Sequence, residues 1–205
     1  MLPRDRPETA PWKPLSPLEV QRLLAGSGAV PWWIAGGHAL DLFLQRPTRH
    51  HADIDVSILR RDQAVVHHSL PGWDIRAADP PGTLRVWPAG EVLRGDIHDV
   101  WCREHPDAPW RLQFMLEEAA GDVWISHRDS RISRPISSLG LESPEGIPFL
   151  APEIQLHFKA ARPRPKDEQD FRSTVPRMSE AQREWLRHAI LTAHGEHPWA
   201  AALAR

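Results

Sequence analysis

The 205-residue chain is 41% hydrophobic and 25% charged, and its 25 Lys+Arg against 27 Asp+Glu leave a formal charge of −2. That length supports one compact domain, with or without a small appendage, around a real hydrophobic core, and the balanced charge excludes a global basic field that would draw nucleic acid or an anionic membrane. The single Cys102 excludes an internal disulfide, no apolar run approaches the roughly 18 residues of a membrane span, and the proline-rich start lacks the apolar centre of a signal peptide, so a cytoplasmic protein without a membrane partner is expected.

Residues 1–15 read as a flexible, Pro-rich N-terminus. Ser16 caps a helix running to Ala25, with Leu18, Val20, Leu23 and Leu24 on its apolar face. Trp32, Trp33, Ile34 and Ala35 form a short buried strand that stops at Gly36-Gly37, where a second helical pattern begins at once with Ala39, Leu40, Leu42, Phe43 and Leu44. After a polar loop, residues 53–59 alternate, which sets Ile54, Val56 and Ile58 on one face and Asp53, Asp55 and Ser57 on the other. Residues 61–70 read as a helix, 73–77 and 83–87 as short strands across a Pro-Pro-Gly turn, and 99–103 as a further extended piece. Residues 112–117 alternate again and lead through Ala120-Gly121-Asp122 to 123–126, a hairpin signal. From Pro152 the chain turns helical, with helices expected from Pro152, over 166–171 and over 179–193 behind a Ser179 cap.

Asp53 and Asp55, one residue apart on a strand and aimed to one side, are the minimum bidentate platform for a hard cation such as Mg²⁺, which binds through one or two carboxylates plus substrate phosphates. Upstream, the backbone N–H groups of a Gly36-Gly37 turn at a helix N-terminus suit phosphate oxygens, because glycine leaves room for the phosphate chain. The twelve histidines do not form a zinc pattern: adjacent His50 and His51 on an extended chain point apart. Cys102 in an apolar strand reads as a buried, inert thiol. The ten tryptophans have no fixed spacing and read mostly as scaffold, with Trp87 and Trp101 the candidates for a wall that stacks a base or sugar. Arg128, Arg131 and Arg134 read as a solvated rim. The run Lys166 to Asp170 reads as a charged helix start, or as an architectural salt bridge from Lys166 or Asp170 to the core domain.

The stretch Trp33-Ile34-Ala35-Gly36-Gly37-His38-Ala39-Leu40-Asp41, followed by Thr48-Arg49-His50-His51-Ala52-Asp53-Ile54-Asp55-Val56, resembles the nucleotidyltransferases of the DNA polymerase β superfamily. It is most similar to the aminoglycoside 2''-adenylyltransferase-like group, with looser similarity at Ala151 to Lys159 and Lys166 to Phe171. His38 stands where that group usually has tryptophan, and Ala52 where it has a further acid. The resemblance implies transfer of a nucleoside monophosphate, AMP from ATP, to a hydroxyl of a small aminoglycoside-type acceptor, with Mg²⁺ as cofactor. It makes Asp53 and Asp55 metal ligands, assigns the nucleotide to Gly36, Gly37, His38, Lys159 and Lys166, and calls for a third carboxylate on a neighbouring strand. Alternation favours Glu117 for that place, both as metal ligand and in catalysis. Glu118 takes it if the strand bulges, and Asp99 is the third choice. The expected fold is α+β: a nucleotidyltransferase-like mixed sheet with packed helices over residues 16–150, then a small helical region over 151–205. Two other readings keep the fold: a toxin-like enzyme that modifies RNA or protein, and a catalytically silent binding protein.

Overall fold

The computed structural model describes residues 11–26, 28 and 30–204. In chain order its elements are α1 (Pro17–Leu24), β1 (Trp32–Ile34), α2 (Gly36–Leu44), β2 (Asp55–Leu59), α3 (Val65–Ser69), β3 (Asp74–Ala78), β4 (Leu84–Val86), β5 (Asp99–Arg103), β6 (Leu112–Ala120), β7 (Val123–Ile125), β8 (Ser133–Pro135), β9 (Gly140–Glu142), β10 (Pro148–Leu150), α4 (Pro152–Ala160), α5 (Pro165–Thr174), α6 (Glu180–His194) and α7 (Pro198–Leu203). The chain divides into two compact units. The first comprises the chain up to Ile34 together with His51–Glu118, and the second comprises Ala35–His50 together with the chain from Ala119 onward. Residues 119–150, grouped by sequence with the core domain, thus pack in the same unit as the C-terminal helices.

The first unit is built on strands in the order β4-β3-β5-β6-β2-β1. β2 and β6 run parallel, and the other pairs are antiparallel. Register sorts the side chains into two faces. Val56, Ile58, Phe114, Leu116, Val100, Cys102, Ile75 and Ala77 share one face and are all buried. The opposite face is polar and carries Asp55, Ser57, Gln113, Met115, Asp99, Trp101, Arg103, Asp74 and Arg76. On that face Asp74 bridges Arg76 at 2.8 Å and Arg103 at 2.7 Å, and the Arg103 guanidinium lies 4.2 Å from the Trp110 ring centre, a cation–π contact.

The α1 boundary follows its capping box: Glu19 N–H donates to Ser16 Oγ, and Ser16 N–H donates back to the Glu19 carboxylate. Val20 and Leu24 are buried as expected, whereas Leu18 is 42% exposed. The helix expected over 61–70 is broken into a 3₁₀ turn at Arg60–Asp62 and the short α3. Residues 1–10 of the N-terminus expected to be flexible lie outside the described residues. Its remainder is tied to the sheet, with Lys13 N–H donating to Trp110 O at 3.0 Å and Leu15 N–H to Arg111 O at 2.9 Å.

The second unit holds α2, two short hairpins and the four C-terminal helices. β7 pairs with β8 and β9 with β10, both antiparallel. α4 runs through its centre, with Pro152, Glu153, Ile154, Gln155, Leu156, His157 and Ala160 all buried. Leu40, Leu156, Ala160, Phe171, Met178, Leu186, Ile190, Trp199 and Ala200 form one apolar cluster. Among the described residues no helix is long and apolar enough to cross a membrane.

Candidate active site

In the first unit the paired aspartates stand at the start of β2. Asp55 opens the strand and Asp53 lies two residues before it. Both are partly buried, between the buried Ile54 and Val56. The apolar neighbours anchor the backbone, and the carboxylates are left at the strand's edge, oxygen donors of the hard kind that Mg²⁺ prefers.

Glu117 lies on the expected face but not at the expected level. The ladder sets Asp55 against Gln113, Ser57 against Met115 and Leu59 against Glu117. Glu117 is therefore four residues along the strand from the level of Asp55, about 13 Å at the usual rise. It is 2% exposed and accepts a hydrogen bond from Ser57 Oγ at 3.1 Å. Register is continuous through these residues, so no bulge exchanges Glu117 with Glu118. Glu118 lies on the other face and pairs with Arg60 Nε at 2.5 Å. Asp99 shares the Asp55 face from β5, opposite Met115, and accepts from Gln113 Nε2 at 2.8 Å.

Trp87 is a core residue and not a stacking wall. It is 2% exposed, its indole N–H donates to Glu91 O at 2.8 Å, and its ring packs edge-on against His67 at 4.4 Å. Trp101 sits on the Asp55 face as the register partner of Gln113, packed edge-to-face with Trp12 at 4.8 Å and with Trp110 at 5.6 Å. Cys102 is fully buried, and burial raises its thiol pKa well above the usual range, as an inert thiol requires.

In the second unit the glycine turn opens α2. α2 begins at Gly36, whose φ of +65° is a left-handed conformation that glycine adopts without a Cβ penalty. The first intrahelical bond is Ala39 N–H to Ala35 O at 3.3 Å, which places the amides of Gly36, Gly37 and His38 ahead of the ladder. The Gly36 amide is taken by the Gln155 side-chain oxygen at 2.7 Å. Glycine-turn and α4 positions that resemble the family at separate places in the sequence are thus hydrogen-bonded neighbours.

Lys159, assigned by resemblance to the triphosphate, is instead held by two buried carboxylates. Its ammonium lies 2.9 Å from Asp167 and 3.0 Å from Asp170, with 8% of the side chain exposed. Asp170 also receives both arms of Arg49, at 2.9 and 3.0 Å, and Asp167 receives Arg164 Nε at 2.7 Å. Burial pushes both carboxyls up. Hydrogen bonds from Arg164 and Lys159 to Asp167, and from Arg49 and Lys159 to Asp170, outweigh it and hold both below the usual carboxylate range. Of Lys166 and Asp170, it is Asp170 that makes a salt bridge, to Arg49, and the two pack within the same unit. Thr48, next to Arg49, is fixed by Asp41 Oδ1, which accepts from its N–H at 3.0 Å and its hydroxyl at 2.6 Å. Lys166, the second residue of α5, is partly exposed.

A second polar cluster, missed by sequence reading, surrounds α4. Arg134 bonds Glu153 at 2.9 Å, Gln182 Nε2 bonds the other Glu153 oxygen at 3.0 Å, and His157 Nε2 lies 2.9 Å from Ser126 Oγ. Arg134 is therefore architectural, not part of a solvated rim, with its guanidinium also 5.2 Å from the Trp185 ring centre.

Residues 18–78 match the aminoglycoside-2''-adenylyltransferase family. No protein of curated function matches the chain. Among solved structures, it is similar to ANT(2'')-Ia in complex with adenylyl-2''-tobramycin, at 16% identity and a TM-score of 0.54 over 86% of this chain and 97% of that one. A solution structure of the antibiotic-resistance factor ANT(2'')-Ia matches at 18% identity and TM-score 0.56, covering 92% and 94% of the two chains. The lincosamide antibiotic adenylyltransferase LnuA, lincomycin-bound, matches at 16% identity and TM-score 0.51, covering 78% and 93%. The chain therefore has the nucleotidyltransferase fold and resembles the aminoglycoside 2''-adenylyltransferase group over the segment that carries both the glycine turn and the Asp-x-Asp strand.

Proposed function

We propose that the protein is a Mg²⁺-dependent nucleotidyltransferase that moves a nucleoside monophosphate, AMP from ATP, to a hydroxyl of a small aminoglycoside-type acceptor. The carrying observation is that one family match, over residues 18–78, contains both the Gly36-Gly37 turn and the Asp53/Asp55 pair. The chemistry of the donors fits the metal: two carboxylates at the mouth of a strand supply oxygen ligands and leave coordination places for phosphates and water. Asp53 and Asp55 would hold the ion, and the Gly36-Gly37 turn with His38 at the start of α2 is assigned to the β and γ phosphates. Lys166 is the basic residue of α5 assigned to the triphosphate. Lys159 acts at a distance, by fixing Asp167 and Asp170. Bound there, Mg²⁺ would supply neutralisation of the charge that develops on the phosphates during in-line displacement. The acceptor hydroxyl oxygen forms the new bond to the α-phosphorus as the bond to pyrophosphate breaks, and the hydroxyl proton is released to water.

Incubation with labelled nucleoside triphosphates, Mg²⁺ and a panel of aminoglycosides, lincosamides, RNA and the protein itself tests the reading. Pyrophosphate release that needs ATP and an aminoglycoside, and that falls at least a thousandfold in Asp53→Asn or Asp55→Asn, is the expected result. Release with RNA or protein alone, or none with any acceptor, overturns it.

A further inference from the structure

The place where the β2–β6 ladder would deliver a third carboxylate holds an amide. Gln113 is the parallel partner of Asp55, so the two side chains leave the sheet on one face. Its N–H donates to Ile54 O at 3.0 Å, which is the residue between the two aspartates. Neighbouring strands lie about 4.8 Å apart, and no other β6 residue on that face is closer to the level of Asp55. The orientation of the amide is settled by its partners. Asp99 Oδ1 at 2.8 Å and Met115 Sδ at 3.3 Å both accept from Nε2. The nitrogen is committed to them, and the oxygen is turned away from Asp99.

Asp99 cannot take the third place itself. β5 is two strands from β2, on the order of 10 Å at that spacing, whereas ligands of one Mg²⁺ each lie at about 2.1 Å. What Asp99 does is hold Gln113, in the manner of the carboxylates that orient metal-binding groups from behind.

We propose that Gln113 is a neutral oxygen ligand at the Asp53/Asp55 metal site, in the place of a third carboxylate, and that Asp99 is the positioning residue that turns its amide oxygen forward. This rests on the reading of Asp53 and Asp55 as metal ligands. The consequence is a site with two negative charges where a third acid would give three. Such a site holds a free cation weakly and takes it up together with the nucleotide phosphates, whose charge completes the shell.

Titration of the full chain with Mn²⁺ followed by electron paramagnetic resonance tests this without turnover. Gln113→Glu supplies the missing charge and tightens nucleotide-free Mn²⁺ binding at least tenfold. Gln113→Leu weakens Mn²⁺ binding about tenfold in the presence of a non-hydrolysable ATP analogue, and Asp99→Ala, which leaves Gln113 but releases its amide, weakens it severalfold. Gln113→Asn serves as the control that keeps an amide, and thermal melts verify that each variant is folded. If both Gln113→Glu and Gln113→Leu bind Mn²⁺ as the parent does while Asp53→Asn abolishes binding, the metal site stands and the role of Gln113 falls. If Asp53→Asn binds Mn²⁺ as the parent does, the reading of the site itself falls.

Discussion

The backbone N–H of Gly36 donates to the side-chain oxygen of Gln155 at 2.7 Å, joining the start of α2 to the middle of α4 across 119 positions of sequence. Gln155 is buried in α4, and it satisfies a helix-start amide that lies ahead of the helical ladder. The same bond fixes the plane of the glycine turn.

Gln155→Leu is expected to cost about 1–3 kcal/mol of stability, the usual penalty for a polar group stranded away from water. It should raise the KM for nucleotide severalfold with a smaller effect on kcat, because the turn loses its anchor and not its chemistry. Gln155→Glu retains an accepting oxygen and should recover most of the binding. Urea unfolding and steady-state kinetics on the three proteins check this, and an unchanged KM in Gln155→Leu would separate the turn from the nucleotide.

Asp170 carries a larger share of the second unit's stability. It is 2% exposed and receives Arg49 and Lys159 together. Asp170→Ala takes the carboxylate from the Arg49 guanidinium and leaves Lys159 with Asp167 alone, and removal of one partner from a buried ion pair costs about 3–5 kcal/mol. The urea midpoint should fall sharply. Asp170→Asn, which keeps one accepting oxygen, should lie between it and the parent.

The contrast between Asp53/Asp55 and Glu117 shows what local pattern can and cannot read. Alternation correctly assigned Glu117 to the face of Asp55, because side-chain direction is a property of one strand. Its level along that strand is a property of two, set by the β2–β6 register between segments some sixty residues apart, as the Ser57 to Glu117 bond shows. Lys159 was misplaced for a related reason: its charge is visible in sequence, but the two aspartates that consume it come from the next helix. Strands β8, β9 and β10 are too short to display a period, whereas the equally short β1, β4 and β7 are legible from the glycine or Pro-Gly turn signals beside them. The capped helices α1 and α6 were legible in full, since Ser16 and Ser179 each start a capping box whose partners lie within three residues.

The two tryptophans that sequence reading paired should separate by experiment. Trp87→Ala removes a side chain packed on all sides, and a loss of about 3–5 kcal/mol is expected, with ligand binding by the folded fraction unchanged. Trp101 lies beside Gln113 on the polar face, half-buried between Trp12 and Trp110. Trp101→Leu should cost less stability and weaken substrate binding, read as a rise in KM for nucleotide or acceptor. If Trp101→Leu leaves both KM values unchanged, the ring is scaffold like Trp87.

His157 makes the protein acid-sensitive in a defined window. It is fully buried in α4, and burial, assisted by His194 and Arg128 and opposed by Asp129, pushes its pKa down from 6.5 to about 4. A histidine depressed in the folded state binds its proton more readily when unfolded. Its contribution is therefore complete above pH 6.5 and is lost as the pH falls through that value toward 4, amounting to about 3 kcal/mol over the window. His67 and His194 are shifted in the same direction, so the parent's total loss on acidification includes theirs, and a difference is needed to isolate His157. His157→Gln keeps a group that can bond Ser126 Oγ and does not titrate. Unfolding free energies measured in urea at pH 7.5 and pH 4.5 should show the parent losing more than this variant, with the excess accumulating below pH 6.5. Equal losses in the two proteins would mean that the imidazole does not stay neutral in its buried place.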